Sequence, residues 1–225
     1  MMEQKIVTGI TTDQAKALQG AFNYFNKKLF KDSLPQCMIT LNRSRNAYGY
    51  FVPAELWQDA KGEKYNEIAL NPDYMQAEDE KRTDKDVFGT LVHEMCHLWQ
   101  HYDGSEPRRC YHNKDFAAKM EVVGLHTTSD GTPTGKRTGQ SMTHIIIENG
   151  PFDKAFQEMP KELLLPLHTL FAMDNKKKRP TKKRTKTTIK YICPVCGAEV
   201  KGKRGLKLMC TECQQLLVPE DEANN

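Results

Sequence analysis

Residues 91–101 read LVHEMCHLWQH, with histidines at 93, 97 and 101. Spacing by four stacks these residues along one face of a helix. His93-Glu94-x-x-His97 is an H-E-x-x-H pattern. Two imidazoles one turn apart can clasp one zinc ion, and the adjacent glutamate can take the proton of a water activated beside it. The flanking Leu91, Val92, Met95, Leu98 and Trp99 make the helix largely apolar, so His93 and Glu94 are expected to be buried. Burying ionisable groups without a use is costly, which favours a metal site over a solvated helix face.

A catalytic zinc usually takes three protein ligands and leaves one position open. His101 continues the pattern but lies about 12 Å of helical rise from His93, against Zn–N bonds of about 2 Å. A straight helix therefore leaves it out, as a surface or supporting residue. His112 is the better third ligand: it follows the Asp103-Gly104 turn and immediately precedes another helix, so its loop can fold back on the pair. His126, His144 and His168 stay open as alternatives.

Working outward, Thr83 is expected to cap the motif helix, with Asp84 and Asp86 in its first turn. Upstream, residues 11–30 carry apolar side chains at 15, 18, 22, 25 and 29, a helical period, behind a Thr11-to-Gln14 capping box. Three short extended stretches follow, at 37–42, 47–57 and 66–75. Pro53 suggests an edge position for the second, and Asn71-Pro72 ends the third. Downstream, Asn113 can cap a helix that Gly124 stops. Residues 126–142 read as a loop, 143–148 as a strand, and 160–173 as an apolar stretch broken by Pro166. The expected fold is α+β, with the motif helix on a small sheet, followed by a small zinc ribbon. The expected boundaries are 10–173 for the main domain, with 126–173 an extension of undefined form, 174–188 for a basic linker and 189–218 for the ribbon.

The ribbon is read from Cys193-x-x-Cys196 and Cys210-x-x-Cys213, a spacing that suits a four-thiolate structural zinc. So short a segment cannot build a core, so metal would provide its fold. Cys37, Cys96 and Cys110 are scattered and read as reduced thiols in a reducing compartment. Two zinc ions are thus expected, one catalytic and one structural.

The 225 residues are 38% hydrophobic and 28% charged, the balance of a globular chain. No run approaches the roughly 18 apolar residues of a membrane span, and the first residues lack the layout of a signal peptide. An intracellular protein without membrane contacts is expected. The net charge of +4 is uneven: residues 176–190 hold nine Lys or Arg and no acid, which leaves −5 on the rest. With Lys201, Lys203, Arg204 and Lys207 of the ribbon, this segment suits sequence-independent phosphate binding, although lysine-rich linkers also serve as spacers or localisation signals.

LVHEMCHLWQH followed by YHNKDFAAKMEVVGL resembles the SprT-like, or Spartan, family of zinc metalloproteases. In that family a third histidine leading into a helix follows the second by fifteen residues, an offset that lands here on His112. The resemblance covers roughly residues 11–125 and, separately, the cysteine module. It implies His93, His97 and His112 as zinc ligands, Glu94 as catalytic base, and proteolysis of DNA-bound or crosslinked proteins in the nucleoid or nucleus. It also implies a zincin-like fold and an extended substrate strand added at residues 47–52, a stretch whose YGYFV could equally do no more than pack the core. RRCYH stands where relatives often have a glycine beside the third histidine. Tyr102, Tyr111 and His101 are candidates to stabilise the oxyanion. Two other functions fit the motifs: a nucleic-acid-binding accessory protein with a structural or vestigial H-E-x-x-H site, and a narrow-specificity regulatory peptidase.

Overall fold

The computed structural model describes residues 9–45, 47–75, 82–103, 107–108, 111–169 and 188–223. It divides into two compact units, residues 1–173 and 174–225.

In the first unit, α1 (Ile10–Phe30) buries Leu18, Phe22 and Phe25 on the face their spacing predicts. The expected Thr11–Gln14 capping box is absent. The helix begins two residues earlier than a Thr11 cap would place it, Gly9 is the cap, and its carbonyl accepts from the Thr12 and Asp13 amides. Gln14 instead accepts from the Leu167 amide at 3.1 Å, which ties the late apolar stretch to α1. At the other end, buried Asn26 exchanges hydrogen bonds with both the Leu34 amide and carbonyl, fixing the turn into the sheet.

Strands β1 (Cys37–Leu41), β2 (Gly49–Gln58) and β3 (Lys64–Leu70) form one sheet with β3 in the middle, parallel to β1 and antiparallel to β2. β2 is an edge strand, as Pro53 implies, and its register breaks between Val52 and Trp57. That break spares the sheet an interior proline.

Helix α2 (Asp84–Asp103) follows the sheet and carries the H-E-x-x-H pattern. At its start Asp86 reaches back over the first turn, accepting from the Thr83 amide at 2.7 Å and from the Thr83 hydroxyl at 2.9 Å, the return half of a capping box. From Val87 to Cys96 it is buried all round, so it is the central element of the unit. Helix α3 (Lys114–Val123) begins and ends where its cap residues predict. The Asn113 side chain accepts from the Phe116 amide, and Gly124 closes the helix at φ 91°. A side chain at 124 would also strike the Pro151 and Phe152 backbone, so glycine is required twice over.

Residues 126–128 are not loop. They belong to β4 (Leu125–Thr128), which pairs antiparallel with β5 (Thr143–Ile146), leaving 129–142 as the connection. Thr127 and Thr128 are polar by type yet fully buried, so the hydrophobic pattern hides this strand. A further helix without a clear periodic signal, α4 (Pro151–Gln157), buries Phe152 against Phe25. Residues 126–169 are thus built into the main unit.

The second unit holds β6 (Thr188–Ile192), β7 (Glu199–Lys203), β8 (Met209–Cys210), β9 (Gln215–Leu216), β10 (Val218–Pro219) and a short α5 (Glu220–Ala223). The segment between the cysteine pairs does not form a hairpin on itself. β7 pairs back to β6, β8 pairs forward to β9, and β10 adds to β6. The residues before Cys193 therefore belong to the module. Residues 174–187, most of the expected basic linker, lie outside the described residues.

Candidate metal centres

His93 and His97 project from consecutive turns of α2, and His112 arrives from the residue before the Asn113 cap of α3. The His112 Nε2 lies 3.2 Å from His93 Nε2 and 3.1 Å from His97 Nε2. Around a tetrahedral zinc with N at about 2.0–2.1 Å, nitrogens sit about 3.4 Å apart, so the trio has the dimensions of a ligand set. Tautomer chemistry points the same way. His112 Nδ1 is 3.2 Å from the Gly139 carbonyl, an acceptor only, so Nδ1 carries the proton and Nε2 presents its lone pair to the cluster. Two further imidazole nitrogens facing that lone pair cannot both be satisfied by it, whereas a cation satisfies all three.

The surroundings keep these rings neutral. Burial pulls His93 well below the usual histidine range, aided by His97, His144 and His112. Burial, then His112, takes His97 down to about 3. His112 is lowered by burial, opposed by the Gly139 carbonyl. Neutral imidazole is the metal-binding form. Phe116 forms the floor, stacked on His97 at 4.2 Å and edge-on to His93 and His112.

Glu94 is buried one residue from His93, and burial pushes its carboxyl up to about 8, opposed by the Phe51 amide of β2. A cation among the imidazoles would draw it back toward the ionised form.

His101 stays out of the trio, with its ring against Phe51 and Tyr102. Among the residues considered for an oxyanion, Tyr102 donates to Asn66 on β3, and Tyr111 lies under the Arg108 guanidinium. His126 pairs with Glu121 at 2.6 Å, and His168 with Asp84 at 2.5 Å. His144 is drawn into the neighbourhood without joining the trio. Its ring is 5.4 Å from that of His93, and its Nε2 would lie only 2.9 Å from a β-carbon on Gly89. Glycine one turn before His93 is what admits it. Neither His144 nor the Gly139 carbonyl has a spacing that marks it beforehand; both come from the β4–β5 hairpin.

Asn113 serves the cap and also accepts from Gln100 Nε2 at 2.8 Å, joining α2 to α3 beside His112. Asn113→Ala should lower the stability of this unit by about 1–2 kcal/mol. Urea unfolding of the metal-free chain checks this, and an unmoved midpoint would show that the cap carries no weight.

In the second unit the four sulfurs of Cys193, Cys196, Cys210 and Cys213 all lie within 4.8 Å of one another. Cys196 Sγ and Cys210 Sγ are 3.7 Å apart, close to the roughly 3.8 Å edge of a tetrahedron with Zn–S of about 2.3 Å. The amides of Cys196 and Val195 hold the Cys193 thiol below its ordinary range, and sulfur neighbours, Cys196 first, push Cys213 up. Four converging sulfurs cannot all ionise without a cation, so this set also fits a metal.

Comparison with known proteins adds an independent view. The model of the family described as SprT-like matches residues 18–138. A 40-residue stretch is 48% identical to an uncharacterized protein in the mucB 3' region of Salmonella typhimurium, covering 18% of this chain and 54% of that relative. The chain thus spans about half the length of the relative it matches. No solved structure matches. The family match takes in both motif histidines, Glu94 and His112, and extends over more than half of the 225 residues; the chain belongs to the SprT-like family.

Proposed function

We propose that the chain is a zinc-dependent endopeptidase that cleaves proteins bound or crosslinked to DNA. The observation that carries the reading is the convergence of three neutral imidazole nitrogens beside a buried glutamate. A purely structural site has no need of that carboxylate. Zinc held by His93, His97 and His112 would supply a Lewis acid that acidifies water and polarises a carbonyl. Glu94 accepts the proton of the attacking water and returns it to the departing amine nitrogen. The water oxygen first bonds to the carbonyl carbon, and the peptide C–N bond then breaks as the amine nitrogen takes that proton. β2 offers its edge to an extended substrate by strand addition, which gives backbone recognition with little sequence preference. These features together support a zincin-like reading of the fold.

The second unit would be held by its own zinc on Cys193, Cys196, Cys210 and Cys213. It exposes Lys201, Lys203 and Lys207, while Arg204 is paired with Asp221 and Lys190 with Glu199 and Glu220. Its phosphate affinity therefore rests on the three lysines and on the basic residues 176–187, which lie outside the described residues. The test compares the full chain with one ending at residue 173, on a protein crosslinked to DNA and on the same protein free. The full chain should cleave the crosslinked protein faster, and the shortened chain should bind DNA more weakly with a shallower salt dependence. DNA binding without cleavage would replace the enzyme reading with that of an accessory protein. Cleavage of one protein among several unrelated ones would indicate a narrow regulatory peptidase.

No helix among the described residues is long and apolar enough to cross a membrane.

A further inference from the structure

His112 does not sit on a helix, so something other than helical geometry has to fix it. Its backbone exchanges two hydrogen bonds with Gly139, at 2.8 and 3.1 Å, and its Nδ1 meets the same carbonyl. Gly139, however, belongs to the 129–142 connection between β4 and β5, and a connection of that length holds nothing unless it is itself anchored. The anchor is two residues away. Arg137 Nη2 is 2.7 Å from Glu121 Oε1 on the last turn of α3 and 3.4 Å from the Ala117 carbonyl. The same Glu121 oxygen is 2.6 Å from His126 Nδ1 on β4. One carboxylate thus ties α3, the strand that leads into the connection, and the part of the connection that returns past His112.

We propose that the Glu121–Arg137 pair is a latch that positions the third metal ligand, by holding Gly139 against His112. The proposal rests on the metal reading given under Proposed function. Glu121 and Arg137 are positioning residues; neither touches the metal or substrate. The pair is half-exposed, so its contribution to global stability is small. Its effect is concentrated on the Gly139–His112 bridge, where loss of order would return rotamer freedom to His112 and release its Nδ1 tautomer. Gly139 lies one residue past the end of the family match at 138, so this support comes partly from outside the matched segment.

The experiment uses the full chain and its Arg137→Ala, Arg137→Lys, Glu121→Gln and Arg137→Ala/Glu121→Gln variants. Amide hydrogen exchange at His112 and Gly139 is measured without metal. Cobalt(II) binding at the histidines is followed by its d–d absorption, separate from the sulfur-to-cobalt bands of the cysteine site. Arg137→Ala should speed exchange of both amides and weaken cobalt binding about 3- to 10-fold. Arg137→Lys should keep most of both. Glu121→Gln should reproduce the loss, and the double variant should be no worse than either single one. If the chain binds cobalt as tightly with Arg137→Ala as without it, at unchanged exchange rates, the latch is overturned. If the unmodified chain takes up no cobalt at the histidines, the metal reading itself fails instead.

Discussion

Glu94→Gln should reduce cleavage of a DNA-crosslinked protein by roughly 10²- to 10⁴-fold, the share commonly supplied by a positioned general base, while zinc content stays near two per chain. The substitution is nearly isosteric. The amide oxygen of glutamine can still accept from the Phe51 amide that now faces the carboxylate, so β2 keeps its seat on α2. What glutamine lacks is the ability to take a proton. The three imidazoles are untouched, so metal uptake and chemistry are separated in one variant. Gel-based cleavage together with metal analysis reads both. Cleavage at the unmodified rate with zinc retained would remove Glu94 from the mechanism.

The second large effect is expected in the cysteine module. Removing the zinc proposed for it with a chelator, or replacing Cys210 by Ser, should unfold residues 188–223 and leave the first unit folded. The reason is the size of its core. Among its described residues only Tyr191, Cys193 and Leu217 are buried, with Ile189 and Leu208 packed partly against them. Tyr191 helps locally, donating to the Lys203 carbonyl and accepting from the Leu206 amide. So small a core cannot offset the ordering entropy of the segment, whereas a structural zinc binds with about 10–16 kcal/mol. The histidine site sits inside a much larger core, which runs from Leu18 to Leu165, and chelation there should cost binding without unfolding. Amide spectra before and after chelation distinguish the two units. Persistent dispersion of the 188–223 resonances without zinc would show that the module folds unaided.

How much of this was legible beforehand varied with the range of the interaction. The α2 clasp follows from a spacing of four within one helix, and the geometric argument against His101 follows from the same rise. The Asn113 and Gly124 caps are local too, since each acts within three or four residues of itself. The Thr11–Gln14 box has the right residue types but lost to Gly9, because a helix that starts two residues earlier moves the cap with it. The buried threonines of β4 and the short α4 gave no usable period, since both are stabilised by neighbours distant in the chain.

The sequence by itself determined the motif helix, its paired histidines with their glutamate, the candidacy of His112 and the paired cysteines. These are statements about residues a few positions apart, or about residue types whose chemistry leaves few alternatives. The tertiary structure alone decided the distances that make three histidines a cluster, and which backbone carbonyl fixes the tautomer of His112. It also decided that His144 comes to rest on His93 across Gly89 and that Arg137 reaches Glu121. Those contacts, His97–His112 to His93–His144, join positions 15 to 51 residues apart, and only the path of the folded chain brings them together.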